Sequence, residues 1–248
     1  MKGKIVAPYF ELLARRMIKE APYVVYVTNE YLQRLYPTKG KTIGISNVEI
    51  LESDQEVLKK RIEKINRKEG PLVLCTVAAI DVPYKGQEYV IRAMNQLRIE
   101  GIETKYFVIG GGDKSRLSKI AEKYDLKESV IFTGPIMREN VFEYLDLSDV
   151  YIQPSLQEGL PRAMIEAMSR ALPAIGFNTA GIPELIDKKY VCKRKSVGQI
   201  TQCIELLLKS NNLENEAKKN FIKSKEYLFS TLNENRKNFF TEAIENMK

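Results

Sequence analysis

The chain has 248 residues, 44% apolar and 29% charged, with 39 basic against 32 acidic side chains and a net charge of +7. This is ordinary globular composition, so disordered and collagen-like readings fall away. Histidine is absent, which removes the commonest general base, the commonest metal ligand and every Ser-His or Cys-His nucleophile at once.

The opening MKGKIVAPYFELLARR interrupts its apolar residues with Glu and Arg too early for a secretory signal. No apolar run approaches the ~20 residues of a membrane span, so a cytoplasmic chain is expected. Residues 9–20 have helical spacing, YVVYVTN reads as a buried strand, EYLQRLYP as a short helix and KTIGISN as a second strand. These are pieces for which no sheet is evident. Ser53 followed by Glu56 fits a capping box that opens the charged helix DQEVLKKRIEKINRKEG.

From residue 71 a regular alternation begins. PLVLCTVAAI is apolar and rich in β-branched residues, and the spacing predicts a helix over Gln87–Ile99 with Tyr89, Val90, Ala93, Met94 and Leu97 on one side. The pattern recurs as TKYFVIGGG with a helix from Asp113 to Tyr124, SVIFTG with a helix from Glu139 to Leu147, DVYIQPS with a helix from Leu160 to Ala171, and PAIGF. Short strands that are apolar throughout belong to a parallel sheet covered by helices on both faces. The expected fold is therefore α/β with a doubly wound parallel sheet, whose ligands sit beyond the carboxyl ends of the strands. The triplet Gly110–Gly112 reads as a tight strand-to-helix turn rather than a phosphate cradle.

After Val191 the chain is Lys- and Asn-rich and helical, with Leu206, Leu207, Phe221, Tyr227, Leu228, Phe239, Phe240 and Ile244 as candidate buried positions. Cys75, Cys192 and Cys203 form no C-x-x-C pair and read as small buried hydrophobes, not as a disulfide framework or metal site. The basic run KKYVCKRK reads as a solvated face, with anionic lipid the partner it would otherwise suit. No interleaved aromatic and basic motif is present, so nucleic acid is not an expected partner.

One loop after a strand holds QPSLQEGLPRAMIE, which places Glu158 and Glu166 on either side of seven residues. Pro161 suits the first turn of a helix, because its missing N–H would have no partner there. The helix N-terminus then points into the crevice, where free amides and the positive dipole end favour a phosphate or diphosphate. Glu158 falls in the loop and Glu166 about two turns on. Carboxylates accept well from vicinal hydroxyls, so the arrangement suits sugar hydroxyls flanking a diphosphate. The plain alternatives are a solvated turn for Glu158, a surface lysine for Lys85 and a helix-face acid for Glu166. The last is opposed by Met164, Ile165, Ala167 and Met168, among which an unpaired charge is costly.

EGLPRAMIEAMSRALP, preceded by PS and followed by AGIPE, resembles the E-(x)7-E signature of retaining glycosyltransferases of the group 1 family with the GT-B fold. DVPYKG, FVIGGG, VIFTG and YIQPS extend the likeness in the expected order over about residues 43–190. The resemblance implies transfer of a sugar from a uridine or guanosine diphosphate sugar to a glycan or lipid-linked acceptor, without metal or other cofactor. It assigns Glu158 to the transferred sugar, Glu166 to the ribose, and the backbone of Gly159, Leu160, Pro161, Arg162 and Ala163 to the diphosphate. Lys85 before Gly86 becomes a cation for that diphosphate, and Gly134 to Ile136 a border of the nucleobase.

Two departures stand out. Ala78 and Ala79 occupy the place where the family carries an arginine, and Arg162 is the residue expected to compensate. The resemblance also implies that residues 1–42 are a remnant of an acceptor-side domain and 43–70 a crossover. Residues 71–228 become the nucleotide-sugar domain, and 229–248 a helix that crosses back, its Phe239 and Phe240 exposed. On that expectation the chain is nearly half an enzyme, or a silent binding module needing a separate domain or partner subunit, with peripheral membrane contact at a lipid-linked acceptor.

Overall fold

The computed structural model describes residues 3–52, 54–67 and 70–246. An amino-terminal unit contains α1 (Gly3–Glu20), β1 (Tyr23–Tyr26), α2 (Tyr31–Leu35) and β2 (Lys41–Gly44). The two strands pair in parallel, Tyr23 opposite Lys41 through Tyr26 opposite Gly44, so the pieces without an evident sheet form a small β-α-β unit. The strands have four residues each, and β1, although the apolar run YVVY reads as a buried strand, buries only Tyr26 and leaves Val25 exposed, because the two-stranded sheet is not covered on both faces.

α3 (Gln55–Arg67) leads into the main domain. The expected capping residue Ser53 lies outside the described residues, and the Asp54 carboxylate accepts from the Glu56 N–H at 3.1 Å. The main domain then runs β3 (Leu72–Val77), α4 (Gln87–Ile99), β4 (Thr104–Ile109), α5 (Ser115–Lys123), β5 (Val130–Gly134), α6 (Arg138–Leu147), β6 (Val150–Gln153), α7 (Arg162–Ser169), β7 (Ala174–Phe177) and β8 (Val191–Cys192). Helices α8 (Val197–Leu208), α9 (Asn212–Ser224) and α10 (Phe229–Asn246) follow.

The six strands are parallel in the order β5-β4-β3-β6-β7-β8. α4, α5 and α8 pack together, as do α3, α6, α7 and α9, giving a doubly wound α/β domain. Every residue of β6 and β7 is buried. The chain reverses direction across the sheet between β3 and β6, which makes the carboxyl ends of those two strands the topological switch point, where such folds bind ligands.

α7 is shorter than the apolar pattern predicts. Its start is set by Pro161, which stands in extended backbone as the N-cap, and its end by Ala171 at φ +53°. In the carboxyl-terminal segment Leu207, Phe221 and Tyr227 are buried as expected and Phe239 is buried against the exposure that the resemblance implied, whereas Phe240 and Ile244 are exposed. Phe239 is covered by an edge-to-face contact with Tyr23, its ring centroid 5.5 Å away, because α10 lies along the amino-terminal unit. All three cysteines are buried, and Cys192 and Cys203 meet with sulfurs 3.4 Å apart although eleven positions separate them.

Candidate functional site

The loops after β3 and β6 cross at the switch point. Gly86 has φ +75°, and a Cβ there would lie 2.0 Å from the Pro154 carbonyl oxygen. Only glycine permits the crossing. The Leu156 N–H donates to the Tyr84 carbonyl at 2.7 Å, tying the loops together. This crossing delivers Lys85 to Glu158: its Nζ donates to Glu158 Oε1 at 2.7 Å. Both side chains are largely buried, 22% and 11% exposed.

The chain then runs through Gly159 and Leu160 into α7. The Gly159 carbonyl is taken by the Gly181 N–H at 2.9 Å, and Val27 of the amino-terminal unit approaches Gly159 from the other side. Among the described residues no side chain caps α7 at Pro161, so the first-turn amides are free for an anion. Glu166 is the fifth residue of α7, little more than one turn from its start rather than two. Its carboxylate accepts from Arg138 Nη2 at 3.1 Å, and the same guanidinium donates to the Glu49 carbonyl. Burial pushes the Glu166 carboxyl above its usual range, against the opposing pull of Arg138 and Arg162.

These groups surround one cavity of about 710 Å³. Lys85, Glu158, Gly159, Leu160, Pro161, Arg162, Ala163 and Glu166 all line it. Gly134 and Ile136 do not. The first residue of α6, Arg138, lines it instead, two residues beyond Ile136. Ala78 and Ala79 line the same cavity as Arg138 of α6 and Arg162 of α7. Sequence reasoning also missed Gln153, whose signal was a lone amide closing an apolar strand, and Val27, Asn47 and Glu49, which come from the amino-terminal unit and the segment after it.

The lining holds three cations, Lys85, Arg138 and Arg162, and three carboxylates, Glu49, Glu158 and Glu166. Two of the cations are paired with acids, while Arg162 makes no ion pair among the described residues. A ligand carrying both hydroxyls and a diphosphate answers both halves of each pair: its hydroxyls go to the carboxylates and its phosphates to the cations and amides. Among the described residues no group of three or more His, Cys, Asp or Glu is placed to hold a metal ion, and no helix is long and apolar enough to cross a membrane.

Residues 57–224 match the model of the glycosyl transferases group 1 family. Protein CapJ of Staphylococcus aureus is 32% identical over 99% of this chain and 58% of its own length. The amylovoran biosynthesis glycosyltransferase AmsK of Erwinia amylovora is 34% identical over 50% of this chain and 33% of its own. Among solved structures, sucrose-phosphate synthase from Thermosynechococcus elongatus superposes with a TM-score of 0.76 at 17% identity, over 95% of this chain and 61% of that one. HepE of Anabaena, crystallised with UDP and glucose, gives 0.74 at 16% identity, over 93% and 66%. These likenesses identify the fold as that of the GT-B glycosyltransferases. The chain spans between half and three-fifths of the length of CapJ and of an uncharacterized Haemophilus influenzae glycosyltransferase, 58% and 52% respectively.

Proposed function

This chain belongs to the group 1 glycosyltransferases, and from that premise we propose that its cavity binds a nucleotide diphosphate sugar for transfer to a glycan or lipid-linked acceptor. The observation that carries the reading is the uncapped start of α7 set between Glu158 and Glu166, with Lys85 delivered to the same cavity from the other side of the switch point. Glu158 accepts from hydroxyls of the transferred sugar and Glu166 from those of the ribose. The amides from Gly159 to Ala163 hold the diphosphate, assisted by Lys85, Arg138 and Arg162. A uridine or guanosine base then lies towards the loop after β5, where Gly134 and Ile136 border it from outside the cavity wall.

Charge develops on the leaving diphosphate as the glycosidic bond breaks, so donors aimed there lower the barrier most. The lysine, the two guanidiniums and the helix end supply the charge that a divalent ion would supply, which makes the proposed transfer metal-independent. The departing phosphate oxygen takes the acceptor proton, and the acceptor oxygen bonds to the anomeric carbon on the face from which the diphosphate leaves, with retention of configuration. No histidine is needed for this chemistry.

Titration calorimetry with uridine and guanosine diphosphate sugars tests the reading. Binding of at least one, weakened about tenfold or more by Lys85→Ala and by Glu166→Ala, is expected. Absence of binding, or binding indifferent to both changes, overturns it. A second reading, a nucleotide-sugar-binding module that turns over only with an added acceptor-side domain or subunit, is favoured by the open apolar face of α1, where Tyr9, Phe10, Leu12 and Met17 are exposed. Donor binding without transfer to any glycan or lipid-linked acceptor supports the second reading against the first.

A further inference from the structure

β6 ends on an amide in a place where the strand is otherwise apolar. Gln153 is 2% exposed, and its neighbours Tyr151 and Ile152 are fully or almost fully buried. Strand alternation puts Tyr151 and Gln153 on one face, and the Tyr151 hydroxyl donates to Gln153 Oε1 at 2.6 Å. The Gln153 amide nitrogen donates to Ser155 Oγ at 2.8 Å and to Glu158 Oε1 at 3.2 Å. Its two hydrogens are then both in use.

The direction of these hydrogen bonds follows from the carboxylate. Burial raises the Tyr151 hydroxyl well above its ordinary range, so it stays protonated and able to donate. A phenol can donate or accept, so the acceptor-only carboxylate fixes the amide, with its nitrogen towards Glu158 and its oxygen towards Tyr151; the reverse orientation would set a carbonyl against an anion. Glu158 Oε1 therefore carries two donors, Gln153 and Lys85, while Oε2 accepts from no protein group among the described residues. The side chain remains on the cavity wall.

We infer that Gln153 is the positioning residue for the sugar end of the site: it clamps Oε1 of Glu158 so that Oε2 is presented to a hydroxyl of the donor sugar. The inference rests on the role proposed above for Glu158. Gln153 itself has no hydrogen left for a ligand, so it acts through Glu158. Lys85 alone cannot do this work, because a flexible ammonium that also serves a diphosphate leaves the carboxylate when the ligand arrives. The amide stays.

The test compares UDP with UDP-glucose, and GDP with GDP-mannose, by titration calorimetry on the full chain. The readout is the ratio of affinities of the sugar nucleotide and its bare diphosphate, which isolates the sugar end. Gln153→Met keeps the volume and removes the clamp. It is expected to lower that ratio about tenfold while the bare diphosphate binds within about twofold of the unmodified chain. Tyr151→Phe, which leaves the amide free to turn over, is expected to shift the ratio the same way by less, and it serves if Gln153→Met fails to fold. A merely structural role would weaken both ligands equally.

If Glu158→Ala lowers the ratio and neither Gln153→Met nor Tyr151→Phe does, the positioning role is wrong and the site reading stands. If Glu158→Ala also leaves the ratio unchanged, or the unmodified chain binds none of the four nucleotides, the reading of Glu158 falls and this inference with it.

Discussion

The six-stranded sheet and the two-stranded sheet are both parallel, yet only the larger is enclosed. Helices cover both of its faces, and β6 and β7 expose nothing. The smaller sheet has half-buried strands, an α2 without one buried residue and an α1 whose Tyr9, Phe10, Leu12 and Met17 meet solvent. A parallel pair gains its stability from cover on both faces, so the larger domain stands on its own packing while the smaller unit is held at its edges. The cavity lies on the seam between them: Lys85, Glu158 and Glu166 come from the enclosed domain, and Val27, Asn47 and Glu49 from the other side.

The largest expected effect tests the enclosed domain. Arg61 of α3 is 4% exposed, and its guanidinium donates to the carbonyls of Ser148, Leu145 and Arg170, the last two at 2.9 and 3.3 Å. It stitches α3 to the ends of α6 and α7. Arg61→Ala removes all three donations at once, although Lys64 still reaches the Ser148 carbonyl and the Ser148 N–H the Leu145 carbonyl, and is expected to cost about 3 to 5 kcal/mol of unfolding free energy in urea titration. A loss below about 1 kcal/mol would mean that the domain does not depend on its buried polar ties.

The next effect belongs to the seam. The Glu184 carboxylate accepts from the backbone N–H groups of Asn29, Glu30 and Tyr31 at 2.7, 3.2 and 2.7 Å. It satisfies the start of α2 from the other side of the boundary. Glu184→Ala is expected to cost about 1 to 2 kcal/mol, on the scale of a lost helix cap, and to speed hydrogen exchange at those three amides about tenfold while β3 and β6 keep their protection. Equal acceleration in both sheets would erase the distinction between the two regions.

A smaller effect comes from pH. Burial holds the folded Glu166 carboxyl above its unfolded value, so as pH rises through that window the native state still keeps a proton that the unfolded chain has released. Stability therefore falls as pH rises there. Glu166→Gln removes the slope, so its stability relative to the unmodified chain should climb with pH just above the ordinary glutamate range. Nucleotide affinity should run the opposite way, strengthening with pH as the carboxylate becomes an acceptor. Parallel melting curves and calorimetry across this range measure both.

The enclosed domain was the more legible region for the same reason that it is the more stable. Strands buried on both faces read as unbroken apolar runs, and the helix predicted over Gln87–Ile99 has those bounds in the structure. Lys85, Glu158 and Glu166, which all line the one cavity, were visible through the family resemblance and their place in the segments that follow β3 and β6. Arg138, Asn47 and Glu49 were not, since their place in the cavity depends on how distant segments are brought together. Gln153 was hidden within a strand, and its hydrogen bonds depend on Tyr151 and Glu158 facing it from either side. Phe240 and Ile244 failed as core positions because helical spacing identifies an apolar face without saying what covers it.

The smallest expected effect lies where α10 meets the small sheet. Lys41 Nζ donates to Glu242 at 2.6 Å, and both side chains are about half exposed, 53% and 41%. Its short distance and its span of the chain suggest a strong tie, but water screens an exposed pair and ordering two long side chains costs entropy. Lys41→Ala should change stability by no more than about 0.5 kcal/mol. Phe239→Ala, by contrast, empties the contact with Tyr23 at a site 4% exposed and should cost about 3 kcal/mol or more. If the salt bridge proves the costlier loss in urea titration, the small unit is held by charge and will loosen in high salt. If the aromatic pair does, apolar contact holds the edge just as it holds the enclosed domain, only over less area.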